Sequence, residues 1–174
     1  MTKPRVLILS WEYPPIVEGG LARHVRKLSE QLVATDSAEV HVLTRGDDTS
    51  APEEEMDGVH VHRVVEPSRP RDLSEFITWI EHMNSDLLAA GVELGDRYDF
   101  DLVHGHDWLV ASAGDHLAKR FRCPLVMTVH ATEYGRHQGW VQDHPQSHIH
   151  GVERWMTNRA DRVIACSAYM RDHV

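Results

Sequence analysis

Apolar residues fall along this chain in two rhythms. Short, nearly unbroken apolar runs stand at Val6–Leu9, Val40–Leu43, Val59–Val65, Leu102–His104, Leu125–Val129 and Val163–Cys166. Such runs read as strands covered on both faces, as in parallel sheets. Between them, apolar residues recur three or four apart, the period of an amphipathic helix. Leu21, Val25, Leu28 and Leu32 make one stripe and predict a helix from Leu21 to about Thr35. Phe76, Ile77, Ile80, Met83, Leu87 and Leu88 make the longest, from Ser74 to about Ala90, and Leu109–Arg120 and His150–Arg159 follow. Ser167 is a suitable N-cap for a last helix over Ala168–Val174. Strands alternating with helices predict an α/β fold with a doubly wound, Rossmann-like parallel sheet.

Ala38–Val65 breaks the alternation. Two strands there flank Arg45–Gly58, which carries Asp47, Asp48, Glu53, Glu54, Glu55 and Asp57. Six acids with little apolar content do not offset an ordering cost of roughly 1–2 kcal/mol per residue, so a solvated, mobile connection is expected. The chain stops soon after its last helix begins, which predicts a piece of a longer protein whose C-terminal part is absent.

Composition narrows the class. The 174 residues are 41% hydrophobic and 26% charged, as in a globular protein with one real core. The net charge of −9, from 18 basic and 27 acidic residues, argues against nucleic-acid binding. No run approaches the roughly 20 apolar residues of a membrane helix, and no signal-peptide pattern precedes the first strand, so a cytoplasmic location is expected. Cys123 and Cys166 both sit beside strand-like runs and read as reduced core thiols. The polar face of the first helix carries Arg23, His24, Arg26 and Lys27. It could meet phosphate or an anionic membrane, but a solvated face is favoured in so acidic a chain.

The candidate chemistry lies where strands end. A strand, a loop with Gly19-Gly20 and a helix make an anion site, because the first helix amides lack partners and glycine lets a phosphate approach. His104-Gly-His106-Asp107-Trp108 and Thr128-Val-His130-Ala-Thr-Glu133-Tyr134-Gly-Arg136-His137 follow two later strands, with Ser167 and Tyr169 after a third. Polar and aromatic side chains crowded there suit carbohydrate. His104 and His106 with Asp107 invite a metal reading, but with 14 histidines such pairs arise by chance, as at His60/His62 and His148/His150. No third and fourth ligand is set by spacing, so no metal is expected. A Gly-x-Ser-x-Gly elbow and a Gly-x-Gly-x-x-Gly fingerprint are both missing, which disfavours a serine hydrolase and a dinucleotide dehydrogenase.

Trp11-Glu-Tyr-Pro-Pro with Gly19-Gly20-Leu21, then His104-Gly-His-Asp107-Trp108, then Thr128-Val-His130 resemble, in this order, the N-terminal domain of retaining family-4 glycosyltransferases and their glycogen synthase relatives. His130-Ala-Thr-Glu-Tyr-Gly-Arg-His-Gln-Gly-Trp140 is most similar to actinobacterial α-glucosyltransferases of that group. The resemblance spans essentially the whole chain and implies the acceptor-side half of a GT-B fold, facing a C-terminal nucleotide-sugar domain not contained in it. It implies transfer of a hexose, glucose above all, from a nucleoside diphosphate sugar to a glucan acceptor, without metal or other cofactor. Gly19 and Gly20 would approach the donor diphosphate, Asp107 the reacting sugar or acceptor, and His130 the donor sugar. Trp108, Glu133, Tyr134, Arg136 and His137 are the candidates for acceptor or sugar contact. One departure is Val17, where ADP-glucose glycogen synthases carry a diphosphate-binding lysine. The isolated domain is expected to be inactive. A lipid or small-molecule acceptor, or a sugar- or nucleotide-binding module without turnover, are the rival readings.

Overall fold

The computed structural model describes residues 3–172, the side chain of Ser74 excepted. Seven strands form one sheet: β1 Arg5–Leu9, β2 Glu39–Gly46, β3 Glu53–Met56, β4 Val59–Val65, β5 Leu102–His106, β6 Leu125–Val129 and β7 Arg162–Ala165. Their order is β3-β4-β2-β1-β5-β6-β7. Every pairing is parallel except β3 with β4. The main helices are α1 Gly20–Ala34, α2 Leu73–Arg97, α3 Ala111–Phe121 and α5 Gln146–Arg159, with short turns α4 Glu133–Arg136 and α6 Ala168–Arg171. The expected α/β, doubly wound sheet is therefore observed. Alternation within β1 divides the core: Val6 and Ile8 join Val25 of α1, while Leu7 and Leu9 join α2, α3 and α5.

Two expectations fail. Arg45–Gly58 is not a loose connection. Arg45 and Gly46 complete β2, and Glu53–Met56 is an edge strand antiparallel to β4. Three of its acids have basic partners on other elements: Glu53 pairs with Arg97 at 2.5 Å, Glu54 with Arg63 at 2.6 Å and Asp57 with Arg26 at 3.3 Å. Asp47 Oδ1 accepts from the Thr49 amide and from the hydroxyls of Thr49 and Ser50, which closes the intervening turn. Helix α2 also outruns its expected end at Ala90. Gly91 and Gly95, weak helix formers, lie where a Cβ would come within 2.5 Å of Leu117 and 2.2 Å of Phe121. Glycine is what lets α3 approach this closely, so packing overrides propensity.

At the start of β2, His41 is fully buried between His62 and Glu39, at 3.0 and 3.1 Å. Burial lowers its imidazole from an ordinary 6.5 to about 4, and lowers His62 as well. An unfolded chain takes up these protons as pH falls through 6.5, whereas folded His41 does so only near 4. The corresponding stability is whole above pH 6.5 and is lost as pH falls toward 4. The urea midpoint is expected to drop as pH is lowered from about 7 to about 4.5, and His41→Phe should flatten part of that slope. An identical slope in the variant would contradict this assignment.

Candidate active site at the sheet switch point

Leaving aside β3, the strands run outward from β1 in one direction and from β5 in the other. Loops following these two neighbours diverge and leave a crevice at the carboxyl end of the sheet, where ligands of open α/β proteins bind. The β1 loop carries Trp11 to Gly19, and β5 ends on His106 with Asp107 next. The two best motifs of the sequence thus face one crevice.

The glycine loop holds an unexpected anion. Glu12, 2% exposed, turns its carboxylate onto the start of α1. Its Oε2 accepts from the amides of Glu18 and Gly19, the latter at 3.0 Å, and its Oε1 from Ala22 at 3.2 Å. This is a capping interaction supplied from the preceding strand loop rather than by the N-cap, Gly19, which has no side chain to offer. The Gly19 amide is therefore engaged. The amides of Gly20 and Leu21 have no partner among the described residues, and a Cβ on Gly20 would meet nothing within 4 Å. Beside this loop Arg45, 1% exposed, is neutralised by Glu18 at 2.9 Å and by Glu66, and its guanidinium lies 4.8 Å from the Trp11 ring.

Asp107 sits in a backbone conformation of φ 62°, ψ 172°. Residues with a side chain rarely adopt it, at a cost of about 1–3 kcal/mol, and such strain clusters at functional sites. Its side chain caps no helix. Instead Oδ1 accepts from the His130 amide at 2.7 Å, bracing the end of β6 against the end of β5. Burial raises the carboxyl to about 6, so the group is ionised at neutral pH at some cost.

A stack of imidazoles stands next to it. His104 and His106 rings are 4.4 Å apart, and His106 and His130 rings 5.3 Å. His106 Nδ1 lies 3.0 Å from His130 Nε2. Burial holds His104 and His130 at about 4 and His106 well below its ordinary value, so all three are neutral at pH 7. His24 of α1 closes the group, its ring 4.7 Å from that of His130. The helix that begins at the glycine loop is in this way tied to the strand-end residues.

The remaining candidates spread outward. Thr132 caps α4 by accepting from the Gly135 amide. Glu133 is buried, with His137 at 3.0 Å and Arg136 at 3.4 Å, and its own amide donates to Glu153 at 2.8 Å. Glu153 of α5 is pushed up to about 7 by burial. Tyr134, Arg136 and His137 reach the surface. Trp108 does not: it is 6% exposed and packs edge-on to Phe76. What surface it keeps lines an apolar groove of about 370 Å³ between α2, α3 and α5, whose walls include none of Gly19, Gly20, Asp107 or His130. Trp108 is thus a core residue beneath the site. Cys166 is exposed, its Sγ 3.6 Å from His130 Nδ1, which corrects its placement in the core, while Cys123 is half-buried and both are free. The basic face of α1 is also weaker than its composition suggests, since Arg26 and Lys27 both pair with Glu30, at 2.5 and 2.6 Å.

Sequence reasoning passed over Glu12 and Glu153 as functional groups and left His24 on a solvated face. For Glu12 a signal existed, an acid inside the loop motif Trp-Glu-Tyr-Pro-Pro. For His24 and Glu153 none did, because their neighbours come from other elements.

Comparison with known proteins places the chain in a family. A model of the glycosyl transferase 4-like domain matches residues 19–174. The chain is 40% identical over 184 residues to a glycogen synthase of Mycobacterium tuberculosis, covering 98% of this chain and 44% of that protein. It is 30% identical to a D-inositol 3-phosphate glycosyltransferase of Mycobacteroides abscessus, covering 93% and 39%. A sucrose-phosphate synthase of Thermosynechococcus elongatus superposes with a TM-score of 0.75 at 21% identity, over 98% of this chain and 45% of that one. The chain spans less than half the length of the curated relatives it matches. No described helix is long and apolar enough to cross a membrane. With a family match over residues 19–174 and a relative 40% identical across 98% of this chain, the chain belongs to the glycosyl transferase 4-like family.

Proposed function

We propose that this domain forms the acceptor side of a retaining glucosyltransferase that moves glucose from a nucleoside diphosphate glucose to an α-glucan, and that it works only with a second, nucleotide-binding domain. The observation that carries the reading is the contact between His24 of α1 and His130, which brings the glycine loop and the Asp107–His130 pair to one crevice. Departure of the diphosphate leaves positive charge on the sugar and negative charge on phosphate. In this reading the Gly20 and Leu21 amides, at the positive end of α1, face the phosphate. Glu12 holds the loop, so Gly19 acts through position rather than through its amide. Asp107, ionised at pH 7, sets negative charge beside the sugar, and His130, neutral, offers a ring nitrogen to its hydroxyls without adding positive charge. Glu133, Tyr134, Arg136 and His137, on the turn beyond β6, would meet the acceptor. No resident metal or organic cofactor takes part.

Similarity to the glycogen synthase supports a glucan acceptor. Similarity to the inositol phosphate enzyme supports a small polar acceptor as the second reading. The paired cations of α1 count against a lipid one. The test is transfer of labelled glucose by the protein carrying both domains, from ADP-, UDP- and GDP-glucose, to glycogen and to inositol phosphate. Label in glycogen releasable by an α-specific glucosidase is expected. Label only in inositol phosphate favours the second reading, and a β-linked product would refute retention.

A further inference from the structure

The histidine stack contains more donor atoms than sugar contact needs. His24 on α1, His106 at the end of β5 and His130 after β6 each offer one ring nitrogen, and these three nitrogens lie within 4.8 Å of one another. His106 is fully buried, and its Nδ1 faces His130 Nε2 at 3.0 Å. We propose that these three imidazoles form a binding site for a borderline transition-metal dication such as Zn2+, and that the bound ion inhibits transfer by taking His130 from the donor sugar. The inhibition, not the binding, rests on the function proposed above.

The geometry is close to what the ion requires. Tetrahedral zinc with Zn–N bonds of 2.0–2.1 Å sets its nitrogens about 3.3 Å apart. His106 Nδ1 and His130 Nε2, two neutral nitrogens facing each other, stand at 3.0 Å and share a single proton. A dication in place of that proton sits off the line between them, so the rings must turn for both lone pairs to converge on it as well as part by a few tenths of an ångström. The third ligand is the adjustable one: His24 is exposed and its ring is 4.7 Å from that of His130 and 5.7 Å from that of His106. Imidazole is a preferred ligand of zinc, copper and nickel, and three of them leave a fourth position for water.

The second triad of the chain shows the contrast. Glu39, His41 and His60 also place donors within 4.8 Å. There the carboxylate is already clamped by Arg5 at 2.7 and 2.9 Å. A dication would have to displace a guanidinium and sit beside it. That triad is expected to stay empty.

Titrate Zn2+ into the protein against a chromophoric chelator, and repeat with Co2+ to read its visible spectrum. Expected are one tight ion per chain, an intense tetrahedral cobalt spectrum, and binding at least tenfold weaker in His24→Ala and in His130→Ala but unchanged in His60→Ala. His24→Ala is the decisive variant, since the side chain is exposed and its loss leaves the fold intact. Absence of stoichiometric binding, or binding that survives His24→Ala, overturns the site. If binding behaves as expected while glucosyl transfer is insensitive to Zn2+, the site stands and the inhibitory step is refuted.

Discussion

Asp107→Gly is expected to abolish glucosyl transfer yet leave a more stable domain than Asp107→Ala. The two variants lose the same group. Each removes the carboxylate proposed to stand beside the sugar, and each strands the part-buried His130 amide that it accepts at 2.7 Å. A stranded buried donor costs about 1–3 kcal/mol. Only glycine, though, is at ease at φ 62°, ψ 172°, whereas alanine keeps the strain of the native residue. The difference between the variants therefore reads backbone strain alone, about 1–3 kcal/mol in favour of glycine. Asp107→Asn separates charge from hydrogen bonding. It retains an acceptor oxygen for His130 and never ionises. The native carboxyl, at about 6 in the fold against an ordinary 3.8, becomes a cost as pH rises through that window. Above pH 6 the asparagine variant should be at least as stable as the native protein, with turnover down by about 10²–10³ if the charge stabilises the transition state. Urea unfolding of the three variants and transfer assays on the two-domain enzyme decide the matter. Equal stability of the alanine and glycine forms would remove strain from the account, and near-native turnover in asparagine would remove the charge.

Glu12 should prove the second sensitive position, and glutamine should not rescue it. The side chain uses both oxygens, Oε2 for Glu18 and Gly19 and Oε1 for Ala22. An amide has one acceptor oxygen and an NH2 that would oppose a backbone N–H at the other end. Glu12→Ala leaves three donors without an acceptor where α1 begins, and a loss of about 2–4 kcal/mol is expected from the caps and buried donors together. Glu12→Gln should lose about half of that. In both, the loop that presents Gly20 loses its brace, so the donor KM should rise more than turnover falls. A glutamine variant with native melting temperature and donor KM would show that the carboxylate merely fills space.

Much of this molecule is written in local pattern. The apolar runs and the three-to-four spacing are produced by burial on two faces or one, a property each segment carries by itself, and so β1, β2, β4, β5, β6, α1 and α3 appear where the pattern puts them. The alternation of strands and helices makes the sheet parallel, and a strand order that diverges between β1 and β5 opens the crevice beside Gly20 and Asp107. Other features depend on which distant residues meet. Glu53–Met56 reads as a solvated acidic stretch until Arg97 and Arg63 arrive from α2 and β4 to neutralise it. Arg45 reads as a loop cation until Glu18, Glu66 and Trp11 enclose it. Trp108 stands in a functional motif but turns into the core against Phe76. Glu12, His24 and Asp107 show the same division at the site. Their identities are plain in the chain, but the amides, rings and backbone angles that set their roles come from other elements. Periodicity records how often a position is buried. What a buried charge can do is decided by the partner that compensates it, and only the folded chain brings that partner within 3 Å.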